Sequence, residues 1–547
     1  MTPRSLPCSR AALSLTFAAV ALGCVGEVRT PKGVPQPPGV EVDPCAGVPA
    51  APSTAELKRL TVTALTAAVT ALTGVGPDAY AASLPALPAP NAFDSERANR
   101  GASLQYTLGL FDAAERIGRA AVATPAAQAR LLGCTLADGP CGLDGARREA
   151  NTRAFIARLL AAAYRRAPTA EEVDELWATQ ASVEADPYEG AGRVVQAVVQ
   201  SPSFLFVVER GEASAERDDA LLLVPDALLE RLALALWGEL PDASLRARAT
   251  GWELGTASGV RAAADEMLDD PRANAHVERM VGQWFRLAQL PGLSRTQALF
   301  PTLDAELKRS MQTEALALFD GALERGAAFT EAYTARRAVI DDRLAAHYGL
   351  APVGPGFRSV ELGGHPTRGG LFATAGFLSV SNGNRDHSNV VKRGNAVRQL
   401  VLCDDVPPAP PNAEAMGGGE GDLHARPDCA ACHVRMDPIG KGLEGYDAVG
   451  AEQAHAGPTL GRVVGRDGFE FSAGPGLGAE AARSSQAHAC VVKQVWRWSM
   501  GVRDTDAQRC SVEGLRATFV AQGLSLRALV LAFVASDTFR FVLPESP

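Results

Sequence analysis

Cys429-Ala430-Ala431-Cys432-His433 places two thiols three residues apart, with an imidazole directly after the second. On a helix this spacing sets both sulfurs on one side of a turn, where they can form thioether bonds to the two vinyl groups of a haem, with the imidazole beneath the iron. The small alanines leave room for the porphyrin edge. The expected cofactor is one covalent haem c, attached through Cys429 and Cys432 and ligated proximally by His433. Two other readings stay open: a disulfide, or a zinc site completed by His424, although a histidine adjacent to Cys432 is unlike the separated second pair of a zinc finger. Met500 is the candidate distal ligand, because it lies far enough downstream for an independent segment to cover the other haem face. Met436, three residues after His433, would have to reach around the ring from the proximal helix and is set aside; Met416, His424, His455 and His488 are further candidates, and five-coordinate iron is an alternative. Arg165-Arg166 and Lys392-Arg393 could meet haem propionates or serve as solvated faces and caps. Around the motif, Asp437-Pro438 reads as a helix-ending turn and Glu444 as a polar or capping residue of the loop.

The elements that must position this motif read as mainly α. The chain has 547 residues, enough for several domains, and is rich in alanine with only 6% aromatics, which favours packed helices over sandwiches or barrels. Ser53-Thr54-Ala55-Glu56 forms a capping box before Leu57, Leu60, Ala64, Ala68 and Leu72, and Gly74 ends that pattern. Thr169-Ala170-Glu171-Glu172 repeats the signal. From Leu221 to Leu350 the helical period continues, with Trp237, Trp284, Phe285 and Phe319 as core anchors. Arg368 to Val380 is less periodic, Val406 to Pro411 reads as extended polyproline, and Gly417-Gly418-Gly419 offers a hinge before the motif. Helix returns from Ala479 to Phe541. An echo links Val194–Phe206 with Leu529–Phe541: each is an apolar helix, a serine that interrupts it, and an aromatic that turns back to the core.

Arg4 and Arg10 precede the apolar run Ala11–Leu22, which is too short to span a bilayer and resembles a secretory signal. The ending Ala21-Leu22-Gly23-Cys24 suggests a bacterial lipoprotein, lipidated at Cys24; simple secretion is the alternative. The protein is expected to be exported, as a periplasmic, outer-membrane or cell-surface lipoprotein anchored by lipid rather than by a span. With Cys8 in the signal, Cys24 lipidated and two cysteines in the motif, six of the ten cysteines remain, an even number that suits an oxidising compartment. Cys134 with Cys141 and Cys490 with Cys510 are the expected disulfides, and Cys45 with Cys403 follows by elimination. A net charge of −9 without a basic patch argues against nucleic acid as a partner.

The block Lys392-Arg393-Gly394, Leu400, Leu402-Cys403, His424, the motif itself, Met436-Asp437-Pro438-Ile439-Gly440 and Leu443-Glu444-Gly445-Tyr446-Asp447 resembles planctomycete-type and myxobacterial cytochrome-like proteins. These are built from five consecutive domains of unknown function around one haem-c motif. Tyr164–Thr169 and Gln200–Leu205 resemble the second domain; Arg231-Leu232, Trp237-Gly238, Pro241-Asp242 and Leu344–Gly349 the third; Arg497–Gly501 the last. The resemblance implies haem binding at a cell envelope and no particular reaction. The expected architecture is a multi-domain helical protein with a cytochrome c-like single-haem segment near the C-terminus. Its segments are a signal at 1–24, a Pro-rich tether at 25–52, helical domains at 53–145, 146–212 and 213–352, the haem-c domain at 353–475 and a C-terminal helical domain at 476–547.

No Ser-His-Asp, phosphate-loop or zinc-protease pattern is visible. The leading functional expectation is redox or electron transfer, with a redox protein or envelope component as partner. A haem-dependent oxidoreductase, using His424, Asp437 and Glu444 as the nearest acid–base groups, and an envelope binding or adhesion protein with a structural haem are the alternatives.

Overall fold

The computed structural model divides the chain into two units, Met1–Ala46 and Gly47–Pro547. It describes residues 45–544 apart from 46, 49, 55–56, 85–92, 97–100, 102, 134–142, 144–147, 364, 408–425, 454–458 and 466–467. The export signal with Cys24, most of the tether, the Cys134–Cys141 pair, the triglycine, Met416, His424 and His455 therefore lie outside the described residues. In the first unit only Cys45 is described.

The second unit is mainly helical and multi-domain, with a few small sheets. Among the described residues no helix is long and apolar enough to cross a membrane. Its buried apolar side chains form two cores, one drawn from Leu60 to Val207 and one from Phe93 together with Leu223 to Val542. Local signals account for many helix ends. Thr169 accepts from the Glu172 N–H while the Glu172 carboxylate accepts from the Thr169 N–H, which starts the helix Ala170–Leu176. Gly74 takes a left-handed conformation and donates to the Thr70 carbonyl, closing the helix Val62–Thr73.

The start of that helix corrects the expected cap at Ser53. Thr61 is the N-cap, accepting from the Ala64 N–H, whereas Ser53-Thr54 is a strand running parallel to Phe541–Leu543. The Ser53 hydroxyl donates to the Phe541 carbonyl at 3.0 Å and accepts from Arg231 Nη1 at 3.2 Å, so it serves a sheet rather than a helix end. Arg217–Leu223 and Gly211–Ser214 complete this sheet.

Both copies of the sequence echo have the same build. The helix Pro187–Gln200 leads through Ser201 to the single turn Pro202–Leu205 and a strand. The helix Leu526–Val534 leads through Ser536 to the turn Asp537–Arg540 and a strand. In each the serine hydroxyl donates back to a helix carbonyl, Val198 or Phe533, and Phe204 or Phe539 is buried. Each turn is also held by a buried arginine. Arg165 donates to the carbonyls of Ser203, Phe204 and Phe206, and Arg231 donates to that of Phe539.

The larger core is organised by stacked aromatics. Trp284 lies between Phe285 and Phe329, and Phe285 contacts Phe319, Tyr333 and Phe377. At its edge Tyr348 donates to Glu314 Oε2 at 2.5 Å and accepts from the Ala375 N–H, while Arg368 lies over the Tyr348 and Tyr446 rings. Burial pushes the Glu314 carboxyl from 4.5 up to about 7, and hydrogen bonding to Tyr348 only partly opposes this. A raised carboxyl stabilises the folded state fully below 4.5 and loses that contribution as pH rises through 7, here by about 3 kcal/mol. Urea denaturation at several pH values is expected to show that Glu314→Gln lacks this loss. Parallel wild-type and variant pH curves from 4.5 to 8 would refute it.

Candidate functional site

The motif lies in the first two turns of the helix Pro427–Lys441. Pro427 opens it at a position where the missing N–H is not needed, and the Cys429 and Ala430 N–H groups donate to the Arg426 carbonyl. Cys429 and Cys432 are half-buried and unpaired. His433 comes next, with Nδ1 at 3.1 and 3.0 Å from the two carboxylate oxygens of Asp437, one turn along. Asp437-Pro438 does not end the helix, contrary to the expected turn. The helix runs through Pro438 to Lys441, and Asp437 is buried against His433.

A second helix, Val390–Leu400, seats the motif helix. The two cross at backbone contact: a Cβ on Gly394 would lie 1.9 Å from the Met436 carbonyl oxygen, and one on Gly440 would lie 1.9 Å from that of Val390. Arg393, wholly buried on the second helix, ties down the chain that leaves the motif helix. Its Nη1 donates to the carbonyls of Leu443 and Tyr446 and to Ser388 Oγ, and its Nη2 to the carbonyl of Asp447. Burial lowers this guanidinium to about 10. Asp404 bridges Arg398 and Arg435, and Arg398 also donates to the Arg435 and Val464 carbonyls. The block Lys392–Gly394 with Met436–Asp447 thus acts as a bracket for one helix.

The other expected site residues are distributed differently. Cys490 pairs with Cys403, not with Cys510, because the helix Ser485–Met500 lies against the end of Val390–Leu400, where Cys490 Sγ also approaches the Leu400 carbonyl. Cys45 and Cys510 are disulfide-bonded too, so the Cys45–Cys403 pairing is also corrected. Met500 is buried at the end of Ser485–Met500 and lines a cavity with Lys58, Arg59, Asp94, His276 and Trp498 that includes no residue of the motif. The structure does not bring Met500 to His433. His488 is tied through Nε2 to the Ala482 carbonyl at 2.9 Å. Arg165 and Arg393 hold backbone carbonyls, not propionates, and Arg166 pairs with Glu172. The partnership of Asp437 with His433 is not among the sequence expectations; its signal is their one-turn spacing on a helix.

The residues present fit a covalent haem. Two unpaired thiols share one helical turn, and a histidine whose Nδ1–H is held by a carboxylate carries its lone pair on Nε2, the arrangement of a metal-binding imidazole. Among the described residues no group of three Cys, His, Asp or Glu side chains could hold a metal ion, and His424, which would complete the zinc alternative, lies outside them.

Four family models match, each described as a protein of unknown function: DUF1595 over 151–209, DUF1592 over 223–350, DUF1588 over 368–456 and DUF1585 over 467–539. The third contains both helices of the bracket. The chain is a member of a multi-domain family of proteins of unknown function. No curated protein and no solved structure matches it.

Proposed function

We propose that the chain is an exported c-type cytochrome that carries one covalent haem on Cys429 and Cys432, ligated by His433, and serves electron transfer at the cell envelope. The supporting observation is the pairing of its cysteines. Cys45, Cys403, Cys490 and Cys510 are in disulfides, while Cys429 and Cys432, close enough in sequence to oxidise, are the free cysteines among the described residues. A chain that forms disulfides elsewhere and leaves these two cysteines unpaired is suited to thioether attachment in an oxidising compartment. When bound, the haem supplies one-electron exchange at iron. Cys429 and Cys432 hold its edge, His433 binds through Nε2, and the bracket from Arg393 and Gly394 keeps the helix in place. The remaining helical domains present the docking surface for a redox partner. Lipid on Cys24 holds the protein to a membrane that it does not span.

The test is production with the native leader in a bacterial envelope containing c-type maturation machinery. Wild-type protein is expected to show the polypeptide mass plus one haem and a c-type reduced spectrum. The Cys429→Ser, Cys432→Ser variant is expected to show the bare mass. A bare mass for the wild type would overturn the proposal.

A further inference from the structure

We infer that Asp437 is a positioning residue for the iron ligand, which lowers the potential of the site and stabilises its ferric state; this rests on the haem reading above. The geometry carries it. His433 and Asp437 stand one turn apart, Nδ1 meets both carboxylate oxygens at 3.0 and 3.1 Å, and the two side chains are only 17% and 12% exposed. A carboxylate largely shielded from water bonds strongly to a donor that carries partial positive charge. Holding the Nδ1 proton toward a full negative charge makes the imidazole a stronger electron donor through Nε2. That favours the more positive iron state, as a partner behind a metal-binding histidine generally tunes its metal.

The position of the carboxylate is itself fixed. Met436 and Gly440, flanking Asp437, are the points at which the helix touches the Val390–Leu400 backbone. The helix therefore cannot rotate to release Asp437 without breaking that crossing. The nearby Asp404 is engaged differently, between Arg398 and Arg435, so its charge is compensated and does not substitute for that of Asp437. The burial of Asp437 accords with this role: a turn-forming or solubilising aspartate would face solvent.

The test compares midpoint potentials of haem-loaded wild type, Asp437→Asn and Asp437→Glu, with Asp404→Asn as a control for loss of a nearby carboxylate. Asp437→Asn is expected to shift the ferric-to-ferrous ratio at fixed poise at least tenfold toward ferrous, a rise of ~60 mV at 59 mV per tenfold for one electron. Asp437→Glu, which retains a carboxylate, is expected to recover at least half of the shift, and Asp404→Asn to change the ratio less than threefold. A smaller rise in Asp437→Asn, an equal rise in Asp437→Glu, or a rise in Asp404→Asn as large as that in Asp437→Asn overturns the inference. Should Asp437→Asn fail to fold, nitrogen-15 NMR of the His433 ring in the wild type decides. A proton on Nδ1 is expected, and a proton on Nε2 in the haem-free chain overturns the assignment. Wild-type protein without haem overturns the functional reading, whereas haem bound with an unmoved potential in Asp437→Asn overturns this inference alone.

Discussion

Arg231→Met is expected to destabilise the folded chain by about 3–5 kcal/mol, the range for removing one partner of a buried ion pair. Arg231 and Glu209 side chains are each 2% exposed; Nε donates to Oε1 at 2.8 Å and Nη2 lies 2.6 Å from Oε2. Lys58 reaches the same carboxylate at 2.6 Å, so the variant leaves Glu209 with one cation instead of two. It also removes the donor to the Phe539 carbonyl and to Ser53 Oγ, the tie between the helix Pro225–Leu236 and the sheet formed by Ser53-Thr54 and Phe541–Leu543. The same pair sets a pH signature. Burial alone would raise the Glu209 carboxyl, but Arg231 and then Lys58 overcome this and lower it from 4.5 to about 2. A depressed carboxyl gives stability that is present above 4.5 and lost as pH falls toward 2, here about 3 kcal/mol. Urea denaturation at pH 7 is expected to show the full loss in Arg231→Met, and a series from pH 5 down to pH 2 to show a shallower decline than in wild type. A loss below 1 kcal/mol at pH 7 would show that the pair is no better than its replacement by an apolar side chain.

How far this architecture can be read from the sequence depends on the reach of each signal. Thr169 with Glu172, Gly74, and the buried positions of Trp237, Trp284, Phe285 and Phe319 act within a turn or along a helical face, and they are legible. The cap expected at Ser53 is not, because its hydroxyl is claimed by Phe541 and Arg231, 488 and 178 residues away in sequence. Asp437-Pro438 looks locally like a stop, yet the seat provided by Val390 and Gly394 carries the helix past it; tertiary contact overrides the local breaker. The cysteine pairing fails for the same reason. Cys490 and Cys510 flank one run of sequence, but the partner of Cys490 is at the end of another helix. Arg165 and Arg393 read from the sequence as solvated faces or caps and instead hold carbonyls in the interior, as Arg231 also does. Under the proposed function the motif residues stand together in the sequence because attachment chemistry needs them adjacent; the groups that hold them are not legible, since Asp437 depends on a helix continuing past a proline and Arg393 on a fold-back.

Gly394→Ala and Gly440→Ala are each expected to cost about 3 kcal/mol, at the upper end of the range for overpacking, because the obstructing atoms are backbone. The contact is reciprocal. Val390 and Gly394 are one turn apart on one helix, Met436 and Gly440 one turn apart on the other, and each glycine meets the backbone of the opposing residue. A carbonyl oxygen 1.9 Å from a new Cβ cannot move aside as the end of a flexible side chain can, so the helices must separate along the whole crossing. Separation would draw Leu443, Tyr446 and Asp447 away from Arg393, leaving a buried guanidinium without its acceptors. The effects of the two substitutions should therefore fall short of additive: once one alanine has opened the crossing, the second meets less resistance. Chemical denaturation of the single and double variants measures this, and a double-variant loss equal to the sum of the singles would show that the glycines act independently. The same variants separate seating from attachment. Cys429, Cys432 and His433 lie in the first turns of the motif helix, ahead of the crossing, so under the proposed function haem attachment should persist in both variants while the stability that the crossing lends to the chain falls.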